Sequence, residues 1–158
     1  MARISCTRRL QFCAGHRVMG HENKCANLHG HNYVVFLTAE AESGLDDVGR
    51  VIDFSVLKQW FGLWIDANWD HGFIVFDKDA EALHALSQME KQKVFEMDSN
   101  PTAENMAAFL LKQLAPGLLQ ESGITLTKVV LWETENCYAT VKLDAKEIAA
   151  PLPLQPKA

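Results

Sequence analysis

The sequence has no uninterrupted apolar run approaching the roughly eighteen residues of a membrane span, so no membrane association is expected. It has no Lys/Arg-rich block either. Its 15 basic and 20 acidic side chains leave a net charge of −5, which excludes the electrostatic footprint of a nucleic-acid binder. Any anionic ligand must then be met by a local group of cations, because the overall field is unfavourable. The four cysteines (Cys6, Cys13, Cys25 and Cys137) form no C-x-x-C pair. With no secretory leader at Met1–Arg9, free thiols in a reducing cytoplasm are expected. Repeats and low-complexity tracts are absent before residue 149, where a proline-rich tail, 149–158, follows the domain at 1–148.

What remains is ordinary globular material. Of 158 residues, 48% are hydrophobic and 22% charged, enough for one domain with its own core. Residues 3–14 and 31–41 read as strands, the second rich in the β-branched and aromatic residues of Asn32-Tyr-Val-Val-Phe-Leu-Thr. A polar loop with Gly15, Gly20, Asn23, Lys24 and Asn27 joins them. From Asp53, an N-cap, the period turns helical, with Leu57, Trp60, Phe61 and Trp64 on one face. A second helix follows Pro101-Thr102, carries Met106, Phe109, Leu110 and Leu114 on one side, and is expected to stop at Pro116-Gly117. Residues 124–133 and 137–143 alternate around a Glu135-Asn136 turn, a hairpin. The expected fold is α+β in the order ββααββ: an antiparallel four-stranded sheet with two helices on one face. Residues 72–100 give no clear pattern.

His29-Gly30-His31 opens the second strand, and residues i and i+2 of a strand share a face, so the two imidazoles project together. His16 ends the first strand, which the short connection places beside the second. Three imidazoles with no fourth protein donor describe a catalytic zinc site with one position open. His21 is a rival third ligand from mid-loop, and His84 lies in an expected helix. Cys25, four residues before His29, is either a thiolate of lowered pKa or a fourth ligand that would close the site; spacing leaves both open. Asp70-His71 is a carboxylate–imidazole pair of the kind used in proton transfer. Glu133 falls on the face of Val129 and Leu131, where a carboxylate needs a partner: ligand N–H donors or an internal salt bridge.

Together, Phe12-Cys-Ala-Gly-His16-Arg17, Cys25-x-x-x-His29-Gly30-His31-Asn-Tyr, Asp53-Phe, Asp70-His71, Pro101-Thr102-Ala-Glu104-Asn105 and Trp132-Glu133-Thr134 resemble the 6-pyruvoyl-tetrahydropterin synthase superfamily. The likeness runs from about residue 4 to 143, with the motifs in family order. It implies the tunnelling fold (T-fold). The three residues between Cys25 and the His-Gly-His element resemble the bacterial 6-carboxy-tetrahydropterin synthases of queuosine biosynthesis. The implied reaction converts 7,8-dihydroneopterin triphosphate to 6-carboxy-tetrahydropterin, acetaldehyde and triphosphate. The alternatives are 6-pyruvoyl-tetrahydropterin formation, side-chain cleavage of a non-phosphorylated pterin, and a non-catalytic zinc- or pterin-binding relative.

By the same resemblance, His16, His29 and His31 hold Zn²⁺, Cys25 is the general base, and His71, oriented by Asp70, relays protons. Glu133 anchors the pterin, Thr102 and its neighbours add backbone contacts, and Lys24, Arg17, Arg8 or Arg9 meets the triphosphate. The family's homohexamer, a dimer of trimers with sites between subunits, is implied as well. Two features depart from the family pattern: Trp69-Asp70-His71-Gly-Phe-Ile-Val, and a longer segment at 77–98.

Overall fold

The computed structural model describes residues 2–149, so the expected tail, beyond Ala149, lies outside the described residues. β1 (Ser5–His16) and β2 (His29–Ala41) pair antiparallel in one register from Ser5 opposite Glu40 to His16 opposite His29. β5 (Ile124–Thr134) lies antiparallel beside β2. β6 (Cys137–Lys142) returns along β5 through the expected hairpin. Both β1 and β2 reach the histidines themselves, two residues further than the alternation alone marks.

α1 (Phe54–Asn68) is capped by Asp53, whose carboxylate accepts from the Ser55 N–H at 2.8 Å. Its buried face is Leu57, Phe61 and Ile65, one residue per turn, with Trp60 and Trp64 packed alongside. α3 (Ala103–Ala108) is capped by the Thr102 hydroxyl. These helices cover the sheet face that carries Phe12, Tyr33, Val35, Leu37, Val129 and Leu131, and together they form the main core. The helix does not stop at Pro116. It widens into a π-helical segment at Phe109–Leu114 and continues as α4 (Ala115–Leu118). Pro116 has no N–H to give and its ring crowds the carbonyl one turn back; the widened turn accommodates it.

The sheet has six strands, in the order β4-β3-β1-β2-β5-β6, which corrects the expected four. The two additions come from 72–100: β3 (Gly72–Phe76) runs parallel to the end of β1, and β4 (Val94–Met97) runs parallel to β3. Between them α2 (Ala80–Ser87) carries His84, helical as expected. Nor are the helices confined to one face. Ile74 belongs to the main core, whereas Val75 packs with Ala82 and Leu86 of α2 in a second cluster, so α2 covers the opposite face. A strand buried on both sides shows a continuous apolar run, not an alternation, and Phe73-Ile-Val-Phe is one. The departure at Trp69 has a structural role. Its indole is fully buried against Phe12, Trp64, Phe95 and Phe109, closing the core where α1 hands over to β3. No helix among the described residues is long and apolar enough to cross a membrane.

Candidate metal centre and active site

His16, His29 and His31 stand on the core-facing side of the paired ends of β1 and β2, and their ligand nitrogens all lie within 4.8 Å of one another. His16 Nε2 is 3.2 Å from His29 Nε2. The opposite nitrogens are tied to carbonyls: His16 Nδ1–H donates to Pro101 O, and His29 Nδ1–H to Asn27 O, each at 2.6 Å. Such anchoring fixes the tautomer that leaves Nε2 with a lone pair to give. His31 Nε2 is buried without a hydrogen-bond partner among the described residues. It lies 3.3 Å from Glu133 Oε1, out of hydrogen-bond alignment.

The electrostatics favour the neutral ring at His16 and His31. His16 is 1% exposed, and burial pushes its pKa down to about 4 against the opposing pull of the Pro101 carbonyl. Burial also lowers His31, with Glu133 opposing. Three imidazoles with converging nitrogens, one of them unsatisfied, are what a divalent cation of borderline softness requires, and the residues fit a metal ion. His21 is not in the cluster; its Nδ1 accepts from the Asn23 N–H. The Cys25 sulfur is not among the converging atoms either, so the open-site alternative is the one the geometry favours.

Glu133 therefore stands beside the centre, next to an imidazole held neutral, and no Lys or Arg pairs with it among the described residues. Tyr33, fully buried between Phe12 and the His16 and His31 rings, has a hydroxyl without a partner among the described residues. Burial, and secondarily Glu133, hold its phenol well above the usual range.

Asp70 and His71 do face each other. His71 adopts a left-handed backbone (φ 56°), and its Nδ1 meets Asp70 Oδ2 at 2.6 Å. Asp70 Oδ1 accepts from the Cys13 N–H at 2.9 Å. Burial opposes the ionised carboxyl, but the Cys13 N–H and the imidazole outweigh it and hold Asp70 below the usual carboxylate range. His71 is not among the converging donor atoms. It lines an open cleft of about 450 Å³ together with Cys13, Asn32 and two of the clustered histidines, His29 and His31. Gly15 is required there: a Cβ would stand 2.4 Å from the Phe73 ring.

The basic candidates separate. Arg17 is committed to an internal pair: Nε and Nη2 donate to the two oxygens of Asp79 at 2.6 and 2.5 Å, and Nη2 reaches Glu81 at 3.2 Å. Arg8 and Arg9 line a separate groove with Ser55 and Lys58 of α1. At about 3.3 Å per strand residue they lie roughly 20 Å or more from His16 in the same chain. Lys24 stays beside Cys25, in a single 3₁₀ turn at Lys24–Ala26. Thr102 caps α3 next to the Pro101 carbonyl that holds His16. Sequence reasoning missed the anchors, Pro101 O and Asn27 O, because backbone carbonyls carry no residue-type signal. It also missed Asp79, whose only local sign is its place before a helix.

Residues 5–144 match the family of 6-pyruvoyl tetrahydropterin synthase. The chain belongs to this family. Among its relatives, the 6-carboxy-5,6,7,8-tetrahydropterin synthase of Rickettsia typhi is 44% identical over 138 residues, 87% of this chain and 99% of that protein. The protein of the same name from Haemophilus influenzae is 32% identical, over 84% of this chain and 94% of its own length. In solved structures, an uncharacterized protein of Wolinella succinogenes superposes with a TM-score of 0.78 at 24% identity, covering 91% of this chain and all of that one, a likeness of fold. The Caenorhabditis elegans 6-pyruvoyl tetrahydropterin synthase gives 0.60 at 26% identity, over 91% and 100%. The expected family and its T-fold are thus borne out.

Proposed function

We propose that this member of the 6-pyruvoyl tetrahydropterin synthase family is a zinc-dependent lyase. Its reaction converts 7,8-dihydroneopterin triphosphate to 6-carboxy-5,6,7,8-tetrahydropterin, releasing acetaldehyde and triphosphate. The observation that carries the proposal is the three-imidazole centre beside the carboxylate of Glu133, which no Lys or Arg pairs among the described residues. The names of relatives that match most of the chain support the 6-carboxy product; a place in queuosine biosynthesis is what the resemblance of the Cys25 to His-Gly-His spacing implies.

Zinc bound at His16, His29 and His31 supplies Lewis acidity for the oxygens of the pterin side chain. Glu133, which no Lys or Arg pairs among the described residues, accepts the ring N–H and amino donors of the pterin in a bidentate pair. Thr102 adds a backbone contact beside it. Cys25 removes a side-chain proton as general base, and Lys24 next to it meets the triphosphate. His71, oriented by Asp70, returns protons on the opposite face of the substrate.

The reading includes a site completed by a partner subunit in an oligomer. Two open sheet edges support the assembly. β6 is terminal, and Ser5–Cys13 of β1 has no strand partner on the β3 side among the described residues. We infer the homohexamer of two trimers from the family resemblance, with which these open edges are compatible. The four free thiols suit a reducing, cytoplasmic setting. Incubation with dihydroneopterin triphosphate, analysed by mass spectrometry, tests the reaction: acetaldehyde and the 6-carboxy product are expected. The 6-pyruvoyl product alone would overturn the assignment.

A further inference from the structure

The loop between β1 and β2, which carries Cys25, is held from outside by two anchors on successive odd residues. At Arg17, the guanidinium forks onto both oxygens of Asp79, which is 2% exposed and caps α2. At Met19, the Asn100 side chain grips the backbone from both sides: the Met19 N–H donates to Asn100 Oδ1 at 2.8 Å, and Asn100 Nδ2 donates to Met19 O at 2.9 Å. Between them, the Val18 N–H donates to the Cys25 carbonyl oxygen at 2.8 Å. The backbone of Cys25 thus hangs from a residue pinned on either side. Both anchors come from the part of the chain that departs from the family pattern or adjoins it: Asp79 from the unit β3–α2–β4, and Asn100 from the stretch that leads to Pro101.

We propose that Asp79 and Asn100 are positioning residues that set the place of the Cys25 thiol, which makes the β3–α2–β4 unit part of the active-site scaffold. This rests on the reading of Cys25 as the base. The physical ground is geometric. A bidentate Arg–carboxylate pair fixes direction as well as distance, and one that is mostly buried is little screened by water or salt. Asn100 cannot be replaced by a loop contact of the same kind, because the amide supplies a donor and an acceptor at once. Asn100 is itself held, its carbonyl oxygen accepting from Asn105 Nδ2 and from the Thr102 N–H. The centre and the loop therefore share one support: His16 leans on Pro101 O, and Met19 on the residue before it.

Asp79→Asn keeps a helix cap and removes the charge, and Asn100→Ala removes the double contact with Met19. Each full-length, metal-loaded variant is compared with wild type in bound metal, kcat and KM for dihydroneopterin triphosphate, and the rate at which iodoacetamide alkylates Cys25. Peptide mass spectrometry reads the alkylation, with the exposed Cys137 as internal reference. Expected are unchanged metal, kcat lowered at least tenfold with KM within threefold, and a Cys25 alkylation rate changed at least threefold relative to Cys137. An unchanged alkylation rate overturns the proposal, as does unchanged kcat with altered alkylation in an enzyme whose wild type turns over. If Asp79→Asn does not fold, Asn100→Ala decides by the same readings. If wild type leaves the pterin triphosphate untouched, the functional reading has failed, and the alkylation rates alone decide whether the anchors place the thiol.

Discussion

The imidazole of His16 is tied through Nδ1 to the carbonyl oxygen of Pro101, 85 residues away in sequence and 2.6 Å away in space. That bond directs Nε2 at His29 and His31 and joins the strand that carries the centre to the entrance of α3. A ligand anchored by a backbone carbonyl cannot swing away from an incoming ion, so the centre is preorganised before metal arrives.

The metal should be present at about one zinc per chain in purified protein, because the three imidazoles leave one coordination position open. His29→Ala and His31→Ala are each expected to lose bound metal together with turnover. Elemental analysis checks this, and full zinc retention in both variants would remove the ligand assignment.

Cys25→Ala should keep its metal, since the sulfur lies outside the converging donor set. Turnover is expected to fall by roughly two to four orders of magnitude, the usual contribution of a general base. Loss of zinc with the thiol would show that the cysteine is a ligand.

Glu133→Gln separates two roles. The His31 ring beside it is held toward the neutral form, so the pair holds little ion-pair energy at neutral pH. Thermal stability should therefore stay within roughly 0.5 kcal/mol of wild type or rise. Pterin binding should weaken roughly ten- to a hundredfold, as expected for a lost charge-assisted hydrogen bond of about 1.5–3 kcal/mol. A melting curve and a pterin titration measure both. Lowered stability with intact binding would make Glu133 a structural residue.

The metal-free protein should lose stability as pH falls from about 6.5 to about 4. His16 sits near 4 when folded against an ordinary 6.5, so the unfolded chain takes up a proton that the folded chain refuses. Stability is complete above 6.5, declines through the window and levels off near 4, a total of about 3 kcal/mol from this residue. Asp70 and Asp79, held low when folded, add their losses only below that window. Urea titrations at pH 7 and pH 4.5 measure the decline, and a difference under about 1 kcal/mol would contradict it. Bound metal should protect against the decline until protons displace it.

The four antiparallel strands, α1 and the His16–His29–His31 set were legible in the chain itself. Period-two alternation and one-face helical spacing are local, and His29 and His31 share a face wherever the strand lies. The family likeness rested on the same short motifs, and the match over residues 5–144 agrees with it. The parallel pair β3 and β4 was not legible. Strands of 5 and 4 residues, one buried on both faces, are too short and too uniform to show a period. Only the tertiary structure decided which groups are spent. It committed Arg17 to Asp79, 62 residues on, left Glu133 without a Lys or Arg partner among the described residues, and set His71 in a cleft that His29 and His31 also line. The physical reason is one of range: alternation and capping act over a few residues, whereas the pairing of a buried charge is settled by whichever distant segment the packed sheet brings within hydrogen-bond reach.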